Sequence, residues 1–136
     1  MPDERQQAIH ELVEEWMRHA RSDLMIAKMT EDEEIVPEIL AFHAQQAVEK
    51  ALKAILVQYP VEFPRTYVIG VLLTLCNESG YAVTGELEEA VTWARYAVAS
   101  RYPGEAEPVS REEARQAAEL ADRIFLWVEG QFREPD

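Results

Sequence analysis

The sequence predicts an all-α protein, an antiparallel up-and-down bundle of about five helices in a single domain over residues 1–136. Apolar residues recur at spacings of three and four along most of the chain, and short segments with proline or glycine separate these stretches. No stretch shows the strict alternation of a half-buried strand. With 48% hydrophobic residues, the chain can form one sizeable core.

The first two helices follow directly from this spacing. Helix 1 is predicted from about Asp3 to Met29, and helix 2 from about Glu34 or Pro37 to Tyr59. Proline lacks the amide hydrogen that a helix interior needs, so Pro37 marks the start of the regular part of helix 2. The predicted apolar positions of helix 1 are Ile9, Leu12, Val13, Trp16, Met17, Ala20, Leu24 and Ala27.

Three further helices complete the predicted bundle. Helix 3 spans about residues 65–79 and ends at Gly80, a C-terminal cap, and helix 4 spans about residues 85–101. Ser110, with a glutamate three residues later, fits a capping box that begins helix 5, which runs to about Phe132. Its predicted buried side is Ala114, Ala117, Ala118, Ala121, Ile124, Phe125 and Val128. The tryptophans, expected in the core or a subunit interface, are Trp16, Trp93 and Trp127.

The net charge of −13 excludes a protein that binds nucleic acid over its whole surface, and DNA is not expected as a partner. A local basic pocket remains compatible with this charge. Acidic residues concentrate in segments 11–15, 31–34 and 86–89. These segments are interpreted as solvated helix faces and helix starts, or alternatively as a surface for a basic partner.

The composition also predicts the compartment. The single cysteine, Cys76, cannot form an internal disulfide and lies in an apolar run, which favours a buried small side chain. The N-terminus has no apolar signal segment, and no apolar run reaches 18 residues. We therefore expect a cytoplasmic protein without membrane association.

Residues 42–56 carry the most informative pattern. His43, Gln46, Lys50 and Lys53 lie at i, i+3, i+7 and i+10, and so form one polar stripe beside the apolar face of helix 2. An imidazole, an amide and two ammonium groups in a row could hold a phosphate or another anion. The alternative is an ordinary solvated helix face.

Three segments resemble the HEPN family (higher eukaryotes and prokaryotes nucleotide-binding). Residues 42–56 are similar to its F-x-A-Q-Q-A-x-E-K-A-L-K-A-L pattern, residues 16–27 to W-x3-A-x2-D-L-x2-A, and residues 101–103 to R-Y-P. The resemblance implies a helical bundle that forms a homodimer. It also implies, for small members, a minimal nucleotidyltransferase as partner in a toxin–antitoxin-like pair.

Many proteins of this family are metal-independent ribonucleases with an R-x4-6-H motif. Arg95 lies where the motif is expected, but no histidine follows it at that spacing, so no catalytic residue is assigned and enzyme activity is not the favoured interpretation. Arg5 and His10 match R-x4-H literally, near the chain start, and are interpreted as a chance match. No metal or cofactor motif is present, and none is expected.

The favoured hypothesis is a nucleotide- or RNA-phosphate-binding subunit of such a pair. One alternative is a ribonuclease toxin with a displaced histidine, His43 or His10. The other is an acidic module that docks a basic partner. Arginine and tyrosine on helix 4 suit phosphate and base contacts, or else packing at the helix end. The candidate binding residues are His43, Gln46, Lys50, Lys53, Arg95, Arg101 and Tyr102.

Overall fold

The fold comes from a computed structural model, which describes residues 3–58 and 109–132. These residues form three helices and contain no strand. The predicted all-α class is therefore confirmed. The helices are α1 (Glu4–Ala27), α2 (Pro37–Gln58) and α3 (Arg111–Gln131), where α3 corresponds to predicted helix 5.

Predicted helices 3 and 4 lie outside the described residues, so the count of five helices stays a prediction. The same holds for the roles assigned to Cys76, to Trp93 and to the acidic segment 86–89. The single-domain organisation also stays a prediction.

The predicted capping box at Ser110 is confirmed, and the structure shows a second capping box, which was not predicted, at Asp3. The Asp3 carboxylate accepts a hydrogen bond from the Gln6 amide at 2.8 Å, while the Gln6 side chain accepts one from the Asp3 amide. Ser110 and Glu113 form the same reciprocal pair at the start of α3, each bond being 3.0 Å long. Each pair satisfies two amide hydrogens that have no partner inside the helix. The sequence thereby determines where α1 and α3 begin.

The core is built around α2, which is buried on most of its circumference. Alanines without exposed surface, such as Ala20 and Ala51, let the backbones of α1 and α2 approach closely, and Leu52 and Ile55 fill the space beside them. The predicted buried side of α3 is confirmed, with Ala117 only partly buried. The residues that α3 adds to the core include Ala118, Ala121, Ile124, Phe125 and Val128.

One of the predicted apolar positions on α1 does not lie in the core. Leu12 is exposed, because the buried line of α1 runs through Val13, Met17 and Ala20, and a neighbouring residue is turned about 100° away on a helix. Ile9 and Trp16 are partly buried against the core. The predicted helical periodicity was correct, but the buried face of α1 is narrower than the full set of predicted apolar positions.

Ion pairs show that α1 and α3 run antiparallel. Arg21 donates to Glu129 at 3.0 Å and lies over the Phe125 ring, while Lys28, farther along α1, pairs with Asp122, an earlier residue of α3. None of the three described helices is long and apolar enough to cross a membrane.

The α1–α2 connection contains the acidic segment 31–34. These residues are exposed but form turns, so the interpretation of this segment as a helix face or start is wrong. The Arg111 guanidinium donates to the carbonyl oxygens of Thr30, Asp32 and Ile35 at 2.9 to 3.3 Å. This planar group with five donors therefore organises a turn that helix propensity alone would not predict. By contrast, segment 11–15 is a mainly exposed helix face, as predicted.

Candidate binding site

Three polar side chains meet where α1 and α2 pack together. The Asp23 carboxylate on α1 accepts a hydrogen bond from Lys50 Nζ at 2.6 Å on one oxygen. Its other oxygen lies 2.9 Å from His43 Nδ1. His43 and Lys50 are two helical turns apart on α2, so one carboxylate holds both side chains together. We call Asp23, His43 and Lys50 the Asp23 cluster.

The Asp23 cluster is buried at the carboxylate and partly open at the side chains of His43 and Lys50. Asp23 is buried, whereas the side chains of His43 and Lys50 keep 25% and 26% of their surface exposed. When His43 Nδ1 carries a hydrogen and donates it to Asp23 in a hydrogen bond, the other ring nitrogen, Nε2, is an acceptor or a site for a second proton. The Lys50 ammonium has three donors, and the Asp23 bond uses one of them.

Glu49 adds an unusual carboxyl group beside this cluster. The residue is 1% exposed, and its Oε1 accepts a hydrogen bond from the Gln45 side chain at 3.2 Å. Burial raises the pKa of Glu49 to about 7, against the opposing effects of the Gln45 hydrogen bond and the positive charges of Lys53 and Lys50. At neutral pH this carboxyl is therefore divided between its neutral and charged forms.

The remaining members of the predicted stripe differ in environment. Lys53 is buried, with its ammonium 5.5 Å from the centre of the Trp16 ring, a cation–π geometry. Gln46 is half-buried. The stripe is thus packed against α1 in part, and it is not a uniformly solvated helix face. The binding role of His43, Gln46, Lys50 and Lys53 stays a prediction.

The structure does not place the other predicted contacts. Arg95, Arg101 and Tyr102 lie outside the described residues, so their position relative to the Asp23 cluster stays a prediction. Within residues 3–58 and 109–132, no group of three or more His, Cys, Asp or Glu side chains could hold a metal ion.

The literal R-x4-H match lies well away from the Asp23 cluster. His10 is exposed and pairs with Glu14 at 3.0 Å, one turn further along α1. It borders a cavity of about 500 Å³ that the start of α1 shares with Gln58 and Phe132. This position near the opposite end of α1 separates His10 from His43.

Two members of this site were not predicted from the sequence. Asp23 and Glu49 belong to segments that resemble the family patterns, but neither was among the predicted binding residues. A usable signal existed for Asp23. It lies within the apolar series Ala20, Leu24 and Ala27, where a charged residue needs a buried partner. Glu49 has a similar signal, since Val48 and Leu52 on either side are core residues.

The described residues define an α-helical protein with a polar cluster between two packed helices. The sequence model of the HEPN domain family matches residues 13–131, so the chain belongs to that family. The resemblance seen in the three sequence segments is thereby confirmed.

The chain is similar to the crystal structure of ST0689, an archaeal HEPN homologue, with 25% sequence identity and a TM-score of 0.64. The match covers 89% of this chain and 98% of that one. No curated protein matches the chain.

Proposed function

We propose that this protein is the nucleotide- or RNA-phosphate-binding subunit of a HEPN/minimal-nucleotidyltransferase pair of the toxin–antitoxin type. The observation that carries the proposal is the Asp23 cluster, in which one buried carboxylate holds His43 and Lys50 together on the open side of α2. Family membership supports the kind of partner and a homodimeric assembly.

The charges around the cluster favour an anion. Lys50 and Lys53 contribute two positive charges and Asp23 one negative charge, while the raised pKa of Glu49 keeps much of its carboxyl neutral at pH 7. The chain as a whole carries a net charge of −13. A phosphate is therefore repelled by most of the protein and attracted only by a local site of this type.

The role of Lys50 can be tested by its replacement with glutamine. Lys50→Gln keeps a donor toward Asp23 but removes the charge, so nucleotide affinity should fall about tenfold, the usual effect of losing one charge-assisted contact. Calorimetric titration with adenosine 5′-monophosphate and with a short single-stranded RNA measures this change. Lys28→Gln is the matched control, because Lys28 pairs with Asp122 at the α1–α3 contact.

Circular dichroism of each variant checks that the fold is retained. Equal affinity of Lys50→Gln and the unchanged protein would show that the Asp23 cluster is not the binding site. Equal weakening by Lys28→Gln would show a non-specific effect of charge. Absence of any binding by the unchanged protein would contradict the proposed function itself.

One geometric feature favours a second function, a metal-independent ribonuclease. Asp23, 2.9 Å from His43 Nδ1, can orient His43 as a carboxylate orients a histidine base, and Nε2 would then take up the proton. The same experiments test the ribonuclease function when the protein is incubated with end-labelled RNA in the absence of metal. Cleavage that is abolished in His43→Gln and retained in His10→Gln would establish ribonuclease activity. If the protein is only a binding subunit, the RNA should remain intact.

A further inference from the structure

The start of α2 exposes apolar side chains next to the Asp23 cluster. Ile39 is 47% exposed and Phe42 is 37% exposed, although the centre of the same helix is almost completely buried. Val36, just before the helix, is exposed as well. Exposure of a large aromatic side chain costs hydrophobic free energy, so an exposed aromatic beside polar groups is a candidate for ligand contact.

These apolar residues continue the face that carries the cations. Ile39, Phe42, His43, Gln46 and Lys50 follow one another at spacings of three and four, apart from the adjacent pair at 42 and 43. The rings of Phe42 and His43 contact edge to face, with their centres 5.4 Å apart and an interplanar angle of 80°. An apolar aromatic surface therefore borders the imidazole directly.

A ligand that fits this surface needs an aromatic apolar part joined to an anion. We propose that the ligand is an unstacked nucleotide whose base stacks on Phe42 while its phosphate lies between His43 and Lys50. This inference rests on the proposed function. It adds a contact for the base, the group that distinguishes a nucleotide from other phosphates. Bases stack on aromatic side chains whatever their sequence, because every base offers a flat π surface.

The charge of the protein favours this occupant over a membrane. An anionic membrane surface presents many negative charges at once and is repelled by a chain of net charge −13. A single nucleotide brings few negative charges and places them beside Lys50 and His43. The unpaired end of an RNA presents the same chemistry, so the test includes both sources.

The test compares phosphates with and without a base. Adenosine 5′-monophosphate should bind about tenfold more tightly than ribose 5-phosphate, the usual magnitude of one stacked base. Phe42→Ala should remove this difference and leave ribose 5-phosphate binding unchanged, while Phe42→Trp should retain it. Leu126→Ala, another exposed apolar residue but on α3, is the control and should change neither affinity.

Short single-stranded RNA and the matching duplex distinguish the two sources of an unstacked base. Binding of the single strand, weakened by Phe42→Ala, together with weak duplex binding would support an RNA end as the natural source. Equal binding of the monophosphate and ribose 5-phosphate, with no effect of Phe42→Ala, would overturn the inference but leave phosphate binding intact. A dimer that Phe42→Ala dissociates in sedimentation would also overturn it, since a second copy would then cover Phe42.

Discussion

Replacement of Glu49 by glutamine is expected to stabilise the protein at pH 8 and to leave its stability at pH 4.5 nearly unchanged. The unfolded chain loses the Glu49 proton near its ordinary pKa of 4.5, whereas burial raises the pKa to about 7 in the folded protein. The folded state therefore binds more protons between these values. The stability that this proton contributes is fully present below pH 4.5 and is lost as the pH rises through 7.

Glutamine has no proton to lose and can still accept the hydrogen bond from Gln45. The shift in pKa corresponds to a difference of about 3 kcal/mol between the variant and the unchanged protein at pH 8. Urea unfolding at a series of pH values measures it. Glu14→Gln is the control, because Glu14 is exposed and the variant carries the same change in net charge.

The opposite outcome would be informative. If Glu49→Gln destabilises the protein at pH 8, the Glu49 carboxylate is charged in the folded state, and Lys50 and Lys53 stabilise it. In that case the local positive charge that favours a phosphate would be smaller, and the case for anion binding would weaken.

Replacement of Lys50 by methionine is expected to lower the free energy of unfolding by about 2 kcal/mol, because it leaves the buried Asp23 carboxylate with His43 as its remaining partner. The partial exposure of Lys50 keeps this cost below that of a fully buried pair. Removing both charges in Asp23→Leu/Lys50→Met should recover much of the loss. The coupling between the two positions should be about 1 kcal/mol or more.

A double-mutant cycle in urea unfolding measures this coupling. The exposed pair of Arg18 and Glu15, at 2.9 Å on α1, provides the matched comparison and should show much weaker coupling, since water screens both groups. Additive effects of Asp23→Leu and Lys50→Met would show that the Asp23 cluster does not hold together in solution.

The elements of the fold that periodicity and capping determine could be predicted from the sequence. The capping box at Ser110 was enough to locate the start of α3, because a cap involves only neighbouring residues. Pro37 located the start of α2. The acidic segment 31–34 was misplaced, because its turn depends on Arg111, about eighty residues further along the chain.

Only the part of the candidate site that lies on α2 could be predicted from the sequence. Spacing along α2 placed His43 and Lys50 on one face, and the structure shows them sharing the Asp23 carboxylate. The contact with Asp23 joins two helices, and spacing within one helix contains no information about it. The burial of Lys53 against Trp16 has the same origin. Glutamate and lysine are usually surface residues, so the sequence alone did not reveal which of them are buried.

Nuclear magnetic resonance of the histidine side chains tests most directly whether the α2 face binds a nucleotide. The chain has only three histidines, and His43→Gln identifies the signals of His43. Titration with adenosine 5′-monophosphate should shift the His43 signals saturably and leave those of His10 and His19 nearly unchanged. Unchanged His43 signals, with binding measured elsewhere or not at all, would contradict a ligand site at His43 and Lys50.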